Sequence, residues 1–202
     1  MKYLIVPNFY APKSPTYQRK FGSDKIHAVS FNRCNFNCAF CGFKQLKKAN
    51  SYYDYSLEEF DRKVESLIPS GLGFKFTGGE AIRVSGVGRQ KLCWENVLKS
   101  IHYVANNSKA DVIVTYVVDS TTDLSALNRF IELFQAEQSV YFKVNNFQES
   151  KFTINTGLYP YPSDLVRNTL EHISECHSNL KGRIIFVDSS RGICDTSGIE
   201  VI

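Results

Sequence analysis

The sequence predicts an α/β protein, specifically a partial β/α barrel with about five or six mostly parallel strands. Three observations point there. Apolar runs rich in β-branched residues alternate with segments of helical period, the pattern of a parallel sheet with helices packed on it. The runs are short and strongly apolar, as strands buried in such a sheet are. The chain has 202 residues, short of the roughly 250 of a complete eight-stranded barrel. No internal repeat, low-complexity tract or Gly/Ser linker interrupts it, so residues 1–202 read as one domain.

The elements follow in order. Tyr3–Val6 can add a strand to the sheet. Ile26–Phe31 reads as the first barrel strand and runs straight into a cluster of cysteines. Ser56 opens a helix, with Glu59 three residues on completing a capping box. Leu57, Phe60, Val64, Leu67 and Ile68 mark its apolar face, and Pro69–Gly71 ends it. Leu72–Thr77 is a strand that leads into Gly78-Gly79-Glu80. After a loop containing Gly86 and Gly88, a helix spans about Gln90 to Asn106, with Trp94, Val97, Leu98, Ile101, Val104 and Ala105 on its apolar face. Asp111–Val118 is a continuous β-branched strand suited to burial on both sides. Asp123 caps a helix marked by Leu124, Leu127, Ile131 and Phe134. Val140–Val144 is a strand, and residues 145–161 are irregular, with room for a small strand at Lys151–Thr156. Pro162 and Ser163 introduce a helix to about Ser178. Arg183–Asp188 is a last buried strand, and Ile199–Ile202 can add to the sheet.

Composition narrows the function classes. Aromatic residues are 13% of the chain, and with only 12 Gly and 6 Pro this is no disordered sequence. No apolar run reaches membrane-spanning length, and Pro7, Pro12 and Pro15 break any signal-peptide core. The expected compartment is therefore the cytosol, with no membrane partner. The net charge of +4 is uneven: residues 1–50 carry nine basic side chains against Asp24 alone, giving +8, and the rest of the chain carries −4. Such a basic quarter suits an anionic ligand or partner, or simply a solvated face.

Three of the six cysteines lie within eight residues, in Cys34-Asn35-Phe36-Asn37-Cys38-Ala39-Phe40-Cys41. In a cytosolic chain, clustered cysteines bind metal or do chemistry more often than they form disulfides. Three thiolates on a short loop can hold three irons of a cubane and leave the fourth open, which separates a reactive centre from a closed structural one. Structural zinc would need a fourth ligand. His27, Cys93 and His102 are available, and none lies at a usual finger spacing.

The Cys-x3-Cys-x2-Cys spacing, with aromatic Phe40 before the last cysteine, resembles the radical S-adenosylmethionine (SAM) superfamily. The strand before the motif and the Thr77-Gly78-Gly79-Glu80 segment after the next strand extend the resemblance. It implies that Cys34, Cys38 and Cys41 hold a [4Fe-4S] cluster whose open iron is chelated by the amino and carboxylate groups of SAM. One electron then cleaves the sulfonium, and a 5′-deoxyadenosyl radical takes a hydrogen atom from the substrate. By the same resemblance Gly78 and Gly79 allow close approach of the backbone, Glu80 pairs with the ammonium of SAM, and the main chain of Phe40 lies near the adenine. Asp119 and Ser120 are similar to the Asp-Thr of glycyl-radical activases near SAM. Lys143 stands where activases carry a lysine facing the methionine carboxylate. Those enzymes have an acidic residue two positions before that lysine, and here it is Tyr141. Asp119 equally has the chemistry of a turn or helix cap, and Lys143 that of a solvated sheet-end lysine.

Three function classes follow: an activase with a protein substrate, a small-molecule enzyme similar to the compact 7-carboxy-7-deazaguanine synthases, and a non-catalytic iron–sulfur or zinc module. A flavodoxin- or ferredoxin-like protein would supply the electron, and the substrate would be a protein or a small anionic molecule met by basic groups such as Arg83, Arg89 and Lys91. Sequence-specific nucleic-acid binding is not expected, since Tyr52, Tyr53 and Tyr55 read as packing residues. His172 and Cys176, four apart on one helix face, have the chemistry of half a metal site, but no matching half is visible in the sequence and they read as helix surface. Cys194, in the polar tail, has the chemistry to donate hydrogen to a product radical.

Overall fold

In a computed structural model, residues 2–10, 25–31, 53–54, 56–77, 89–147, 156–188 and 199–202 are described. They fall in two compact units, Met1–Arg83 and Val84–Ile202.

In the first unit a four-stranded sheet has the order β3-β1-β2-β4, from β1 (Lys2–Tyr10), β2 (Lys25–Phe31), β3 (Tyr53–Asp54) and β4 (Phe74–Thr77). β1 runs antiparallel to β2, with a register shift between Val6 and Phe9, and antiparallel to β3. β2 and β4 are parallel, pairing His27 with Phe74 through Ser30 with Thr77. The capping box expected at Ser56 is formed. Glu59 N–H donates to Ser56 Oγ at 3.2 Å and Ser56 N–H to Glu59 Oε2 at 2.8 Å, opening α1 (Leu57–Glu65). These hydrogen bonds hold the Glu59 carboxyl below its ordinary pKa, the backbone one most, and Arg62 adds to them. After α1 a 3₁₀ turn, Ile68–Ser70, carries Pro69 near its start and ends at Gly71, whose φ of +69° is the left-handed conformation open to glycine. Phe60, Val64, Leu67 and Phe74 pack around fully buried Val29. Ile68, expected on that apolar face, is 59% exposed because the chain has left the helical period by then.

The second unit has a sheet of order β5-β6-β7-β8, from β5 (Val112–Val118), β6 (Val140–Asn146), β7 (Ile184–Val187) and β8 (Ile199–Val201). The first three strands are parallel, and β8 is antiparallel to β7. Eleven residues link β7 to β8, fewer than the dozen or more that a parallel crossover needs. α2 (Arg89–Asn107), α3 (Leu124–Glu132) and α4 (Ser163–Cys176) complete the unit. Its core joins Val118, Phe142, Val144, Ile184 and Phe186 of the sheet to Leu127, Phe130 and Ile131 of α3 and Val166, Leu170 and Ile173 of α4. Sequential parallel strands with right-handed crossovers put their helices on one face, and the sheet residues in that core share one face by strand parity.

The mixed α/β class therefore holds, with a parallel core of three strands in the second unit. The described strands number eight, and β1, β3 and β8 are antiparallel additions, so the sheets are less parallel than expected. β5 corrects the expectation of burial on both sides. Val118 is buried, whereas Thr115 and Val117 on the opposite face are exposed, since the described helices of this unit pack on the Val118 face. Val104 of α2 is 39% exposed because it lies off the stripe set by Leu98, Ile101 and Ala105. The small strand considered at Lys151–Thr156 lies outside the described residues except for Thr156.

Candidate functional site

The cluster cysteines Cys34, Cys38 and Cys41, with Phe40, Gly78, Gly79 and Glu80, lie outside the described residues. What is described is the pair of strands that lead into them. β2 ends at Phe31 and β4 at Thr77, parallel and with Ser30 opposite Thr77, so the two chains leave the sheet at neighbouring positions and in the same direction. Cys34 follows Phe31 by three residues and Gly78 follows Thr77 directly.

Below this edge His27 is fully buried. Its Nε2 is 2.7 Å from Ser70 Oγ, and its ring lies 5.1 Å from that of Phe74. The Ser70 hydroxyl donates to Leu67 O at 2.7 Å. His102, considered with His27 as a zinc ligand, directs Nδ1 at Glu137 Oε1 at 2.6 Å.

In the second unit Asp119, Ser120 and Lys143 divide between two places. Asp119, 8% exposed, follows the last residue of β5 and builds a tight turn. Its Oδ1 accepts from Thr121 N–H at 2.8 Å and Thr121 Oγ1 at 2.7 Å, while its own N–H donates to Thr122 Oγ1. This is the turn chemistry open to Asp119 in the sequence, and it occupies Oδ1. Ser120 holds the segment before α4. Ser120 N–H donates to Tyr159 O at 2.8 Å, and Ser120 Oγ accepts from Tyr159 N–H at 3.1 Å. Asn146, 2% exposed at the end of β6, fixes the same segment by donating to Tyr161 O and Ser163 Oγ and accepting from Tyr161 N–H. Residues 159–161 are thus tied to the carboxyl ends of β5 and β6. The two carboxylates near that edge, Asp123 and Asp119, add to the effect of burial in raising the pKa of the Tyr116 phenol.

Lys143 lies in mid-strand on β6, in register with Thr115 and Ile185. Strand parity sets it on the face opposite Phe142 and Val144, and so opposite α3 and α4. Tyr141 and Asn145 share that face. Among the described residues Asn145 Oδ1 is buried without a hydrogen-bond partner, which is unusual for a polar atom.

Sequence reasoning missed Asn146 and Arg183. Arg183, 5% exposed, was read only as the start of a strand. It donates five hydrogen bonds to backbone carbonyls: Val140, Gln135, Asn179, Phe134 and Glu137. Burial pulls its pKa down, while Tyr141 and Glu137 favour the charge. A charged residue directly before an apolar run was the available sign. Among the described residues no three His, Cys, Asp or Glu side chains are grouped to hold a metal, and no helix is long and apolar enough to cross a membrane.

The chain matches no protein-family model and no curated protein.

Proposed function

We propose that the protein is a radical SAM enzyme on a partial β/α barrel, acting in the cytosol on a protein segment as glycyl-radical activases do. The observation that carries the reading is the parallel, in-register pairing of β2 and β4. In sequence the cysteine segment follows β2 and the Gly-Gly-Glu segment follows β4, and strand ends of this kind are the edge where a β/α barrel builds its site. The donor set fits a cubane with one open iron: three thiolates in Cys34, Cys38 and Cys41 and no fourth at that spacing. The activase-type reading of Lys143 rests on resemblance, with Tyr141 where activases carry an acidic residue. Asn145 Oδ1, on the same face of β6 and without a partner among the described residues, suits an N–H or O–H donor of a ligand.

With a cluster bound at these cysteines, one electron from a flavodoxin- or ferredoxin-like donor would cleave SAM to methionine and a 5′-deoxyadenosyl radical, which takes hydrogen from the substrate. The chain's own residues bind and orient. By the resemblance, Glu80 would pair with the ammonium of SAM, Gly78 and Gly79 would admit it to the backbone, the Phe40 main chain would neighbour the adenine, and Lys143 would be the lysine for the methionine carboxylate. Asp119 shapes the turn, and Ser120 retains a hydroxyl proton to donate.

The test is anaerobic reconstitution with iron and sulfide, followed by dithionite and SAM. Formation of 5′-deoxyadenosine is expected in the wild type and not in Cys38→Ala. A bound cluster that yields no 5′-deoxyadenosine would refute the reading and leave a binding module. Deuterium carried into 5′-deoxyadenosine from a labelled small anionic molecule would replace the protein substrate with a small-molecule one.

A further inference from the structure

In sequence His172 and Cys176 read as helix surface with the chemistry of half a metal site, and the fold of the second unit supplies candidates for the other half. Both side chains are exposed near the end of α4, with Cys176 Sγ 3.7 Å from His172 Nε2. A tetrahedral ion with a metal–sulfur bond of about 2.3 Å and a metal–nitrogen bond of about 2.0–2.1 Å needs these atoms about 3.6 Å apart. The pair therefore stands at the bite of a tetrahedral chelate, with no movement of the backbone required.

The pair also lines a groove of 360 Å³ between α3 and α4, and Glu132 of α3 and His177 at the end of α4 line the same groove. No three of these donors are already in coordinating positions. Glu132 is an exposed side chain whose Oε1 accepts only a surface hydrogen bond from Asn128 at 2.8 Å, so it can turn inward at small cost. Leu124 and Ile173 also line the groove.

We propose that this groove is a second metal site, independent of the clustered cysteines, which takes Zn²⁺ through His172 Nε2 and Cys176 Sγ with a third donor from Glu132 or His177. A thiolate and an imidazole select a borderline-soft ion over Mg²⁺ or Ca²⁺, which require oxygen ligands.

The experiment is calorimetric titration of the full chain with Zn²⁺ under anaerobic conditions. It compares the wild type with His172→Ala, Cys176→Ser and the double variant Glu132→Ala/His177→Ala. Cys34, Cys38 and Cys41 are present in every protein, so metal bound there cancels in the comparison. The wild type should hold one more Zn²⁺ than either single variant, and the double variant should hold it at least tenfold more weakly. A large excess of Mg²⁺ should not displace it. Equal zinc stoichiometry in the wild type and the single variants overturns the proposal, as does an unchanged affinity in the double variant. Both changed residues of the single variants are exposed, and unchanged circular dichroism confirms that those proteins fold. The result does not depend on SAM cleavage, so this site and the radical SAM reading fail separately.

Discussion

Arg183 shows how one side chain can close off one end of a unit. Its five bonds gather carbonyls from the exit of α3, the start of β6 and the 3₁₀ turn Ser178–Leu180. Arg183→Met would remove the guanidinium from all five carbonyls, of which Gln135 O, Phe134 O and Glu137 O keep bonds from Asn179 Nδ2, Glu137 N–H and Val140 N–H. A loss of about 3 kcal/mol is expected in urea unfolding, the cost of breaking a buried polar network. Arg183→Lys keeps the charge but offers three donors for five and should recover only part of it. Glu59 gives a pH prediction. Its folded-state pKa is lowered, so its stabilising effect is present above the unfolded value of about 4.3 and lost as pH falls through the lower folded value. Glu59→Gln should therefore lower stability at neutral pH towards the acid value and flatten the acid limb of the stability profile; an unaltered acid limb would contradict the cap's electrostatic role.

The elements were legible where the signals were local. The Ser56–Glu59 box, the Asp123 cap and the glycine stop at Gly71 all act within a few residues, and each forms as the sequence implies. Gly71 tests this cleanly, because a Cβ there would touch nothing within 4 Å. Gly71→Ala should cost about 1 kcal/mol of stability, entirely from the left-handed backbone; a neutral result in thermal melts would refute that account. Features that depend on distant partners were not legible. Thr115 and Val117 read as buried because β-branched residues suit any strand, yet which face of β5 carries helices is decided by the crossovers. Asn146 looked like loop sequence until Tyr161, fifteen residues on, proved to be what it holds. Asn146→Ala should release residues 159–161 from β6, seen as faster hydrogen exchange at the Tyr161 amide, with β7 amides unaffected.

For the whole molecule, charge and cysteine placement coincide: the +8 carried by residues 1–50 surrounds the cysteine segment in sequence. An acidic electron donor approaching this region would be steered by it, so donor binding should weaken as ionic strength rises. Salt-independent binding in a titration with reduced flavodoxin would count against that role.

The sequence by itself determined the alternation of strands and helices, their caps and stops, and the cysteine and Gly-Gly-Glu spacings, because each depends on backbone preferences or ligand chemistry read over a few positions. Only the tertiary structure decided the parallel register that aligns the ends of β2 and β4, the face of β6 opposite α3 and α4 that bears Lys143 and Asn145, the burial of Arg183, and the groove that brings Glu132 to the side of His172 and Cys176. These depend on how strands pair and which faces the crossovers cover. The reason is physical: such contacts join residues forty or more positions apart, and the free energy that selects them comes from burial of the assembled core, which no local pattern specifies.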